Sequence, residues 1–202
     1  MQYLGKAKSF SMAVIVVLLA GLFMMGNDMA VAADDDLEEV LDEGGEYDDD
    51  IELDEDDETY DPDDVAEVDG DITISGDNVT VRNFEVDGDV IIDGDNVELE
   101  DVEVSGNVEI HGDEASLDDV EVGRDVMVEG EDARLDNVTI SGDLEIEEDV
   151  EEDFSGQNVT VKGAVLVNGG GPDSVHFEDS DLKDMEVNCE DVHIQLSGET
   201  RV

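Results

Sequence analysis

Basic side chains are nearly missing from this chain. Lys and Arg together number 8 against 62 Asp and Glu, a formal net charge of -54 over 202 residues. Nucleic acid is excluded as a partner, because two polyanions repel each other. An anionic membrane surface is disfavoured on the same ground. Tryptophan is absent and aromatic residues make up 4% of the chain, which speaks against an adhesin-type or carbohydrate-binding rod built on aromatic platforms. The single cysteine, Cys189, has no partner for an internal disulfide. Between Val187 and Val192 it reads as a small core residue rather than a nucleophile. So acidic a chain repels itself in dilute buffer and stays compact only when salt screens it. Composition therefore points to adaptation to molar salt. A calcium-loaded protein in ordinary salt is the rival reading.

What the chain does contain is a repeat. From Asp69 to Ile140 an eighteen-residue unit recurs four times: DGDITISGDNVTVRNFEV, DGDVIIDGDNVELEDVEV, SGNVEIHGDEASLDDVEV and GRDVMVEGEDARLDNVTI. With each copy numbered from one to eighteen, apolar residues occupy places 4, 6, 11, 13, 16 and 18. Place 4, for example, holds Ile72, Val90, Val108 and Val126, and place 16 holds Phe84, Val102, Val120 and Val138. Glycine fills place 8 in every copy (Gly76, Gly94, Gly112, Gly130). A two-residue spacing is the period of a strand with one face inward. Three such pairs, separated by glycine and Asx residues where the chain bends, make three short strands per coil. One copy cannot bury three two-residue faces alone, whereas stacked copies build a continuous core. A 3.6-residue period is absent and valine and glycine abound, which excludes helical hairpin repeats. The expected fold is all-β: a single parallel β-helix (β-solenoid) of about seven coils, roughly 30 Å long at the usual strand spacing.

The rest of the chain reads as three additions. Residues 1–32 form a signal peptide: Lys6 and Lys8, then the apolar run Met12 to Met25, then Ala30-Val31-Ala32, with cleavage between Ala32 and Ala33. The apolar run falls short of the roughly 20 residues that span a bilayer, so a cleaved signal is favoured over a retained anchor. Either way the repeat ends up outside the cytoplasm, secreted or at the cell surface, and a retained segment is the sole route to a membrane. Residues 33–68 read as an acidic disordered linker, because dense carboxylates self-repel and extend the chain. The β-helix domain runs over residues 69–202, with three-residue inserts in its fifth and sixth coils and a less regular seventh coil that keeps Val187, Val192, Ile194 and Leu196.

Little in the sequence suggests catalysis. His111, His176 and His193 share no metal-ligand spacing, and no catalytic carboxylate pair stands out among so many acids. Gly169-Gly170-Gly171-Pro172 lacks the Lys-Ser or Lys-Thr of a phosphate loop. The acidic stretch DDDIELDEDDET lacks the central glycine of an EF-hand loop. Stacking nevertheless aligns acids in columns. Place 3 carries Asp71, Asp89 and Asp125, and place 9 carries Asp77, Asp95 and Asp113. Like charges at that spacing destabilise one another unless cations intervene. These six are the weak candidates for Ca²⁺ ligands, against the plainer reading of a face bathed in K⁺ or Na⁺. No other cofactor is expected. Three Asn-x-Thr sequons, at Asn78, Asn137 and Asn158, are glycosylation candidates in an exported protein.

Known solenoids differ from this pattern in informative ways. The left-handed acyltransferase helices repeat strictly every six residues, whereas the inward pairs here advance by seven, five and six. The calcium-binding nonapeptide rolls require Gly-Gly-x-Gly-x-Asp, which no copy carries. The motif G-D-V-x-I-x-G-D-x-V from Gly88 to Val97, with its period near eighteen, resembles the bactofilins. Their β-helices stack end to end into filaments without nucleotide, so the resemblance implies a rod that forms a homopolymer. The expectation is a non-enzymatic, exported structural or scaffold protein of a salt-adapted cell surface that self-associates through its coil ends. A calcium- or cation-binding solenoid module is the alternative.

Overall fold

The computed structural model describes residues 35–148, 150, 153–170, 175–190 and 192–202. One helix, Asp35–Glu43, precedes twenty strands that all belong to a single sheet. Every paired strand in it is parallel, and the partners lie one coil apart. Ile72 pairs with Val90, Val90 with Val108, Val108 with Val126 and Val126 with Leu144, each step eighteen residues. On this first side of the coil eight strands follow one another, beginning at Ile51–Leu53 and Ile72–Ile74 and ending within Thr160–Val167 and Asp181–Val187. The other two sides are laid down in the same way. The expected parallel β-solenoid is thus the observed fold.

The inward places of the repeat form the core. Residues at places 4, 6, 11, 13, 16 and 18 of all four regular copies are buried, from Ile72 and Ile74 through Val138 and Ile140. The glycines are set by how closely the coils stack. A Cβ on Gly112 would sit 2.0 Å from the carbonyl oxygen of Gly94, and one on Gly130 would sit 1.9 Å from that of Gly112. No side chain fits such a corner. Two further bends per coil need left-handed backbone, and Asn or Asp fills nearly all of them. Asn78, Asn96 and Asp132 have φ of 58°, 55° and 56° at the first bend, and Asn83, Asp101, Asp119 and Asn137 have φ of 54–59° at the second. Short Asx side chains tolerate this conformation better than other non-glycine residues. Glu114, φ 58°, is the exception in the series.

The rod begins earlier than the sequence reading placed it. Residues 33–68 were expected to be a disordered linker, yet they contain the helix and four strands. Ile51–Leu53 pairs with Ile72–Ile74, Thr59–Tyr60 with Thr80–Val81, and Ala66–Val68 with Phe84–Val86. The reason is the same two-residue alternation: Ile51, Leu53, Ala66 and Val68 are buried while the carboxylates between them point outward. High charge density does not preclude a strand whose polar face is in water. The coil is longer here, with Ile51 lying 21 residues before Ile72, because three extra residues bulge between Tyr60 and Ala66. That offset hid it from an eighteen-residue template.

The helix closes the core at this end. Val40 and Leu41 are buried in the same apolar cluster as the first coil, and Leu37 packs against it. Gly44 (φ 86°) ends the helix, its N–H donating to the Val40 carbonyl at 3.1 Å. The opposite end is different. In the last coil Val187 pairs with Val167 and Leu196 with Phe177, but Val187 is 44% exposed and Leu196 46%. Ile194 and Val192 are only partly covered.

The coils carrying inserts repack the interior. Phe154 replaces the small residue of place 11, and Gly156 replaces the leucine of place 13 opposite Leu135. Phe177 then lies over Gly156, with its ring 5.5 Å from that of Phe154. A Cβ on Gly156 would meet the Phe177 ring at 2.8 Å. Volume gained at one place is thus given up at its neighbour, as close packing demands. The stretch expected to be a signal peptide, with Ala32 and Ala33, lies outside the described residues. Among the described residues no helix is long and apolar enough to cross a membrane.

Candidate functional site: the carboxylate and asparagine columns

The acidic columns have a definite structural task. At place 3, Oδ1 of one residue accepts a hydrogen bond from the backbone N–H at the same place in the next coil. The series runs Asp50 to Asp71, Asp71 to Asp89, Asp89 to Asn107, Asn107 to Asp125, Asp125 to Asp143 and Asp143 to Ala164, at 2.6–3.2 Å. Place 9 does the same from Asp56 through Asp77, Asp95 and Asp113 to Glu131, at 2.9–3.0 Å. At these corners the N–H leaves the sheet ladder and must find another acceptor. A short carboxylate on the coil below supplies it.

The Gly-Asp dipeptide at places 2 and 3 is therefore one device. A Cβ on Gly88 would lie 2.3 Å from Oδ1 of Asp71, and one on Gly106 would lie 2.3 Å from Oδ1 of Asp89. Glycine leaves the space into which the lower carboxylate reaches. Where Arg124 takes the glycine's place, the bond from Asp125 to Asn107 has the longest distance in the column, 3.2 Å. Asn107 also shows that the acceptor need not be charged.

All six calcium candidates, Asp71, Asp89, Asp125, Asp77, Asp95 and Asp113, thus have one oxygen committed to the backbone of the next coil. They lie on two separate edges of the rod. Among the described residues, carboxylate oxygens converge within 4.8 Å in a different group, Glu46, Asp48 and Asp69, which is fully exposed at the first coil. Burial, and after it neighbouring carboxylates, raises some acids above their ordinary value. Asp118 is pushed up by burial first and then by Asp119, Asp136, Glu100 and Glu98. Glu147 is pushed up by burial and then by Glu145. Arg82 offsets part of this charge by pairing with Glu100 and with Glu98.

The sequons sit in the asparagine columns. Asn78 Nδ2 donates to Asp57 Oδ1 at 3.1 Å and its own Oδ1 accepts from Asn96 Nδ2 at 2.8 Å. Asn158 Nδ2 donates to Asn137 Oδ1 at 3.1 Å. All three sequon residues are exposed and all three carry positive φ. The Asn-Val-Thr pattern therefore has a sufficient cause in coil geometry: an Asx bend, an inward valine, then a strand residue. Cys189 is half-buried, and its thiol donates to the Gly169 carbonyl at 3.4 Å. His176 Nε2 lies 2.9 Å from Ser197 Oγ.

No protein family, curated protein or solved structure matches this chain. The likeness to the bactofilins rests on the Gly-Asp motif and the coil period, and both are accounted for by the hydrogen bonding and packing of stacked coils.

Proposed function

We propose that this chain is a non-enzymatic structural rod, exported to the surface of a salt-adapted cell, that associates with a second copy of itself through its last coil. The observation that carries the reading is the contrast between the two ends of the core. At the first coil the helix contributes Val40 and Leu41 to the buried cluster that holds Ile51, Leu53, Ala66 and Val68. At the last coil Val187, Leu196 and Val202 are 44%, 46% and 60% exposed. Exposed backbone edges and apolar side chains at the end of a stack are a template for another strand.

Residues 181–202 carry six acids with Lys183 and Arg201, a formal -4, so two last coils repel each other and pair only where salt screens them. A rod closed at one end by a helix and open at the other gives a pair rather than a bactofilin-like filament. Export rests on the Lys6/Lys8, Met12–Met25 and Ala30-Val31-Ala32 pattern, and the salt habitat on the net charge of -54.

Sedimentation velocity and electron microscopy in molar KCl test the reading. A dimer that Leu196→Glu converts to monomer supports it. Filaments would mean that both ends associate, and a monomer at all concentrations would remove self-association. Folding that appears in dilute buffer only on addition of calcium would replace the scaffold reading by a cation-binding one.

A further inference from the structure

The free edge of the last coil has three parts. On the first side, residues 184–187 pair below with residues 164–167. On the second, Ile194–Ser197 pairs below with Val175–Glu178. On the third, Arg201 bridges to Asp181, and its carbonyl accepts from the Leu182 N–H at 2.8 Å. Among the described residues no strand pairs with the outer edge of any of the three. The residues at the middle of each side, Glu186, Gln195 and Arg201, are exposed and differ in charge. Their neighbours Met185, Val187, Ile194, Leu196 and Val202 form a ring of apolar side chains that is covered in part or not at all.

Two copies of one end close symmetrically about a two-fold axis perpendicular to the rod. Such an axis runs through the middle of one side, which pairs antiparallel with its own copy, and it exchanges the other two sides. The chain climbs one strand spacing, about 4.8 Å, in each turn, so the three sides stand at rising heights in chain order. With an even climb, the first and third sides lie equally below and above the second, and an axis through the second gives seams of one width. An axis through the first or third side leaves the exchanged seams tighter or wider than the self-paired one by about 4.8 Å, a whole strand. Charge picks the same axis. Through the first side it would set Glu186 against its own copy, and through the third Arg201 against its own, like charges opposed in both cases. Through the second it sets neutral Gln195 against Gln195 and exchanges the side of Glu186 with that of Arg201.

We infer that the last coil is a two-fold docking surface for a second copy, in which Ile194–Ser197 pairs antiparallel with itself about Gln195 and Glu186 of each copy pairs with Arg201 of the other. The inference rests on the pairing through the last coil proposed above and supplies its geometry. Directly opposed residues of antiparallel strands point to the same face. With Gln195 on the axis, Ile194 of each copy therefore meets Leu196 of the other. With Glu186 opposite Arg201, Met185 meets Val202. Each partly covered apolar residue of these strands thus gains an apolar partner, and the two ion pairs lie on either side of the axis. The helices with Val40 and Leu41 are left at the two far ends of one continuous core.

The test is disulfide trapping of the full-length protein in molar KCl, in a Cys189→Ser background so that each variant carries a single thiol. Opposed Cβ atoms in an antiparallel pair lie about 4.5–5.5 Å apart, within reach of a disulfide after a small shift. With a mild thiol oxidant, Gln195→Cys is expected to give a covalent dimer from most of the chains, and adding Leu196→Glu to abolish it. Glu186→Cys and Arg201→Cys are each expected to stay single when oxidised alone and to give a covalent dimer when mixed. All of these positions are exposed, and melting curves check that each variant folds. Trapping of Glu186→Cys or Arg201→Cys with its own copy would place the axis on another side. That result, or a dimer in sedimentation velocity that Gln195→Cys does not trap, would overturn this geometry and leave the pairing standing. A wild-type monomer at all concentrations would overturn both.

Discussion

Replacing Asp89 separates two roles for the acidic columns, acceptor and charge. Its Oδ1 accepts from the Asn107 N–H at 2.6 Å, and its own N–H donates to Asp71 Oδ1 at 2.8 Å. Asp89→Ala removes the acceptor and leaves a partly buried N–H without its partner. A hydrogen bond to a charged group is worth about 1.5–3 kcal/mol, and water reaches this corner in part, so the loss is about 2 kcal/mol. Removing the charge works the other way. One like neighbour on the column a strand spacing away costs about 1 kcal/mol in dilute buffer by Coulomb's law in water. In molar KCl, with a screening length of about 3 Å, that term vanishes. Asp89→Asn keeps an acceptor and loses the charge, as Asn107 already does in the same column. Thermal unfolding followed by circular dichroism in both salts reads the difference. In molar KCl Asp89→Ala is expected to melt about 4–8 °C lower and Asp89→Asn within about 2 °C of wild type. In dilute buffer Asp89→Asn is expected to equal or exceed wild type. If the two variants lose the same stability in molar KCl, the carboxylate acts as a charged cation ligand and the acceptor argument fails.

Other perturbations probe the corners and the core. Glu114→Asn relieves a glutamate held at φ 58° and offers an amide to Asn96 Oδ1; a gain of about 0.5–1 kcal/mol is expected, and a lower melting temperature would contradict it. Gly112→Ala drives a Cβ to 2.0 Å from the Gly94 carbonyl oxygen; the coil must lift, at a cost of about 3 kcal/mol or more, and a melt within about 2 °C of wild type would refute that packing. Val102→Asp places a carboxylate where 3% of the residue is exposed, at a cost of several kcal/mol, so the β-sheet circular dichroism signal should be lost at temperatures where wild type folds. Tyr60 is pushed up to about 12, by burial first and then by Glu55, Glu58 and Asp54. Its folded value exceeds its unfolded one, so its contribution is present below pH about 10 and lost as pH rises toward 12. Ultraviolet titration should record a tyrosine ionising near pH 12, and a single transition near pH 10 for all tyrosines would contradict the burial.

The core was legible because its signal is periodic. Every apolar place of the four regular copies points inward, since a stacked coil has no choice about which face meets its neighbour. The columns at places 3 and 9 were visible too, but their purpose was not. A sequence shows like charges in register and so suggests a cation between them. In the stacked coils each Oδ1 already holds the backbone N–H of the next coil. The glycine before each aspartate was the available clue, because a residue without a Cβ beside a recurrent short acid implies close approach of that acid. The ion pairing of His111 is hidden for a similar reason. Its partners Asp93 and Glu129 stand eighteen residues away on either side, a separation that matches no linear ligand motif and becomes contact only when coils stack.

The first coil shows where composition misleads. Between Asp34 and Asp69 the density of carboxylates argues for an extended chain, and at most positions that argument is sound. It fails because disorder depends on whether the apolar residues present can be buried together, not on their fraction. Ile51 and Leu53 need only a coil already built at Ile72 and Ile74 to cover them, so nucleation is not their burden. A terminal coil can therefore be far more acidic than an isolated domain could be. At the opposite end Val187 and Leu196 follow a well-formed coil at Val167 and Phe177 and are 44% and 46% exposed. The last coil supplies template and apolar surface together, while the helix withholds both at the first. On the proposed pairing, truncating Val187 and Leu196 to alanine should abolish the dimer in sedimentation velocity without lowering the melting temperature of the coils beneath them, whereas truncating Val40 and Leu41 should lower the melting temperature and open a second end to association.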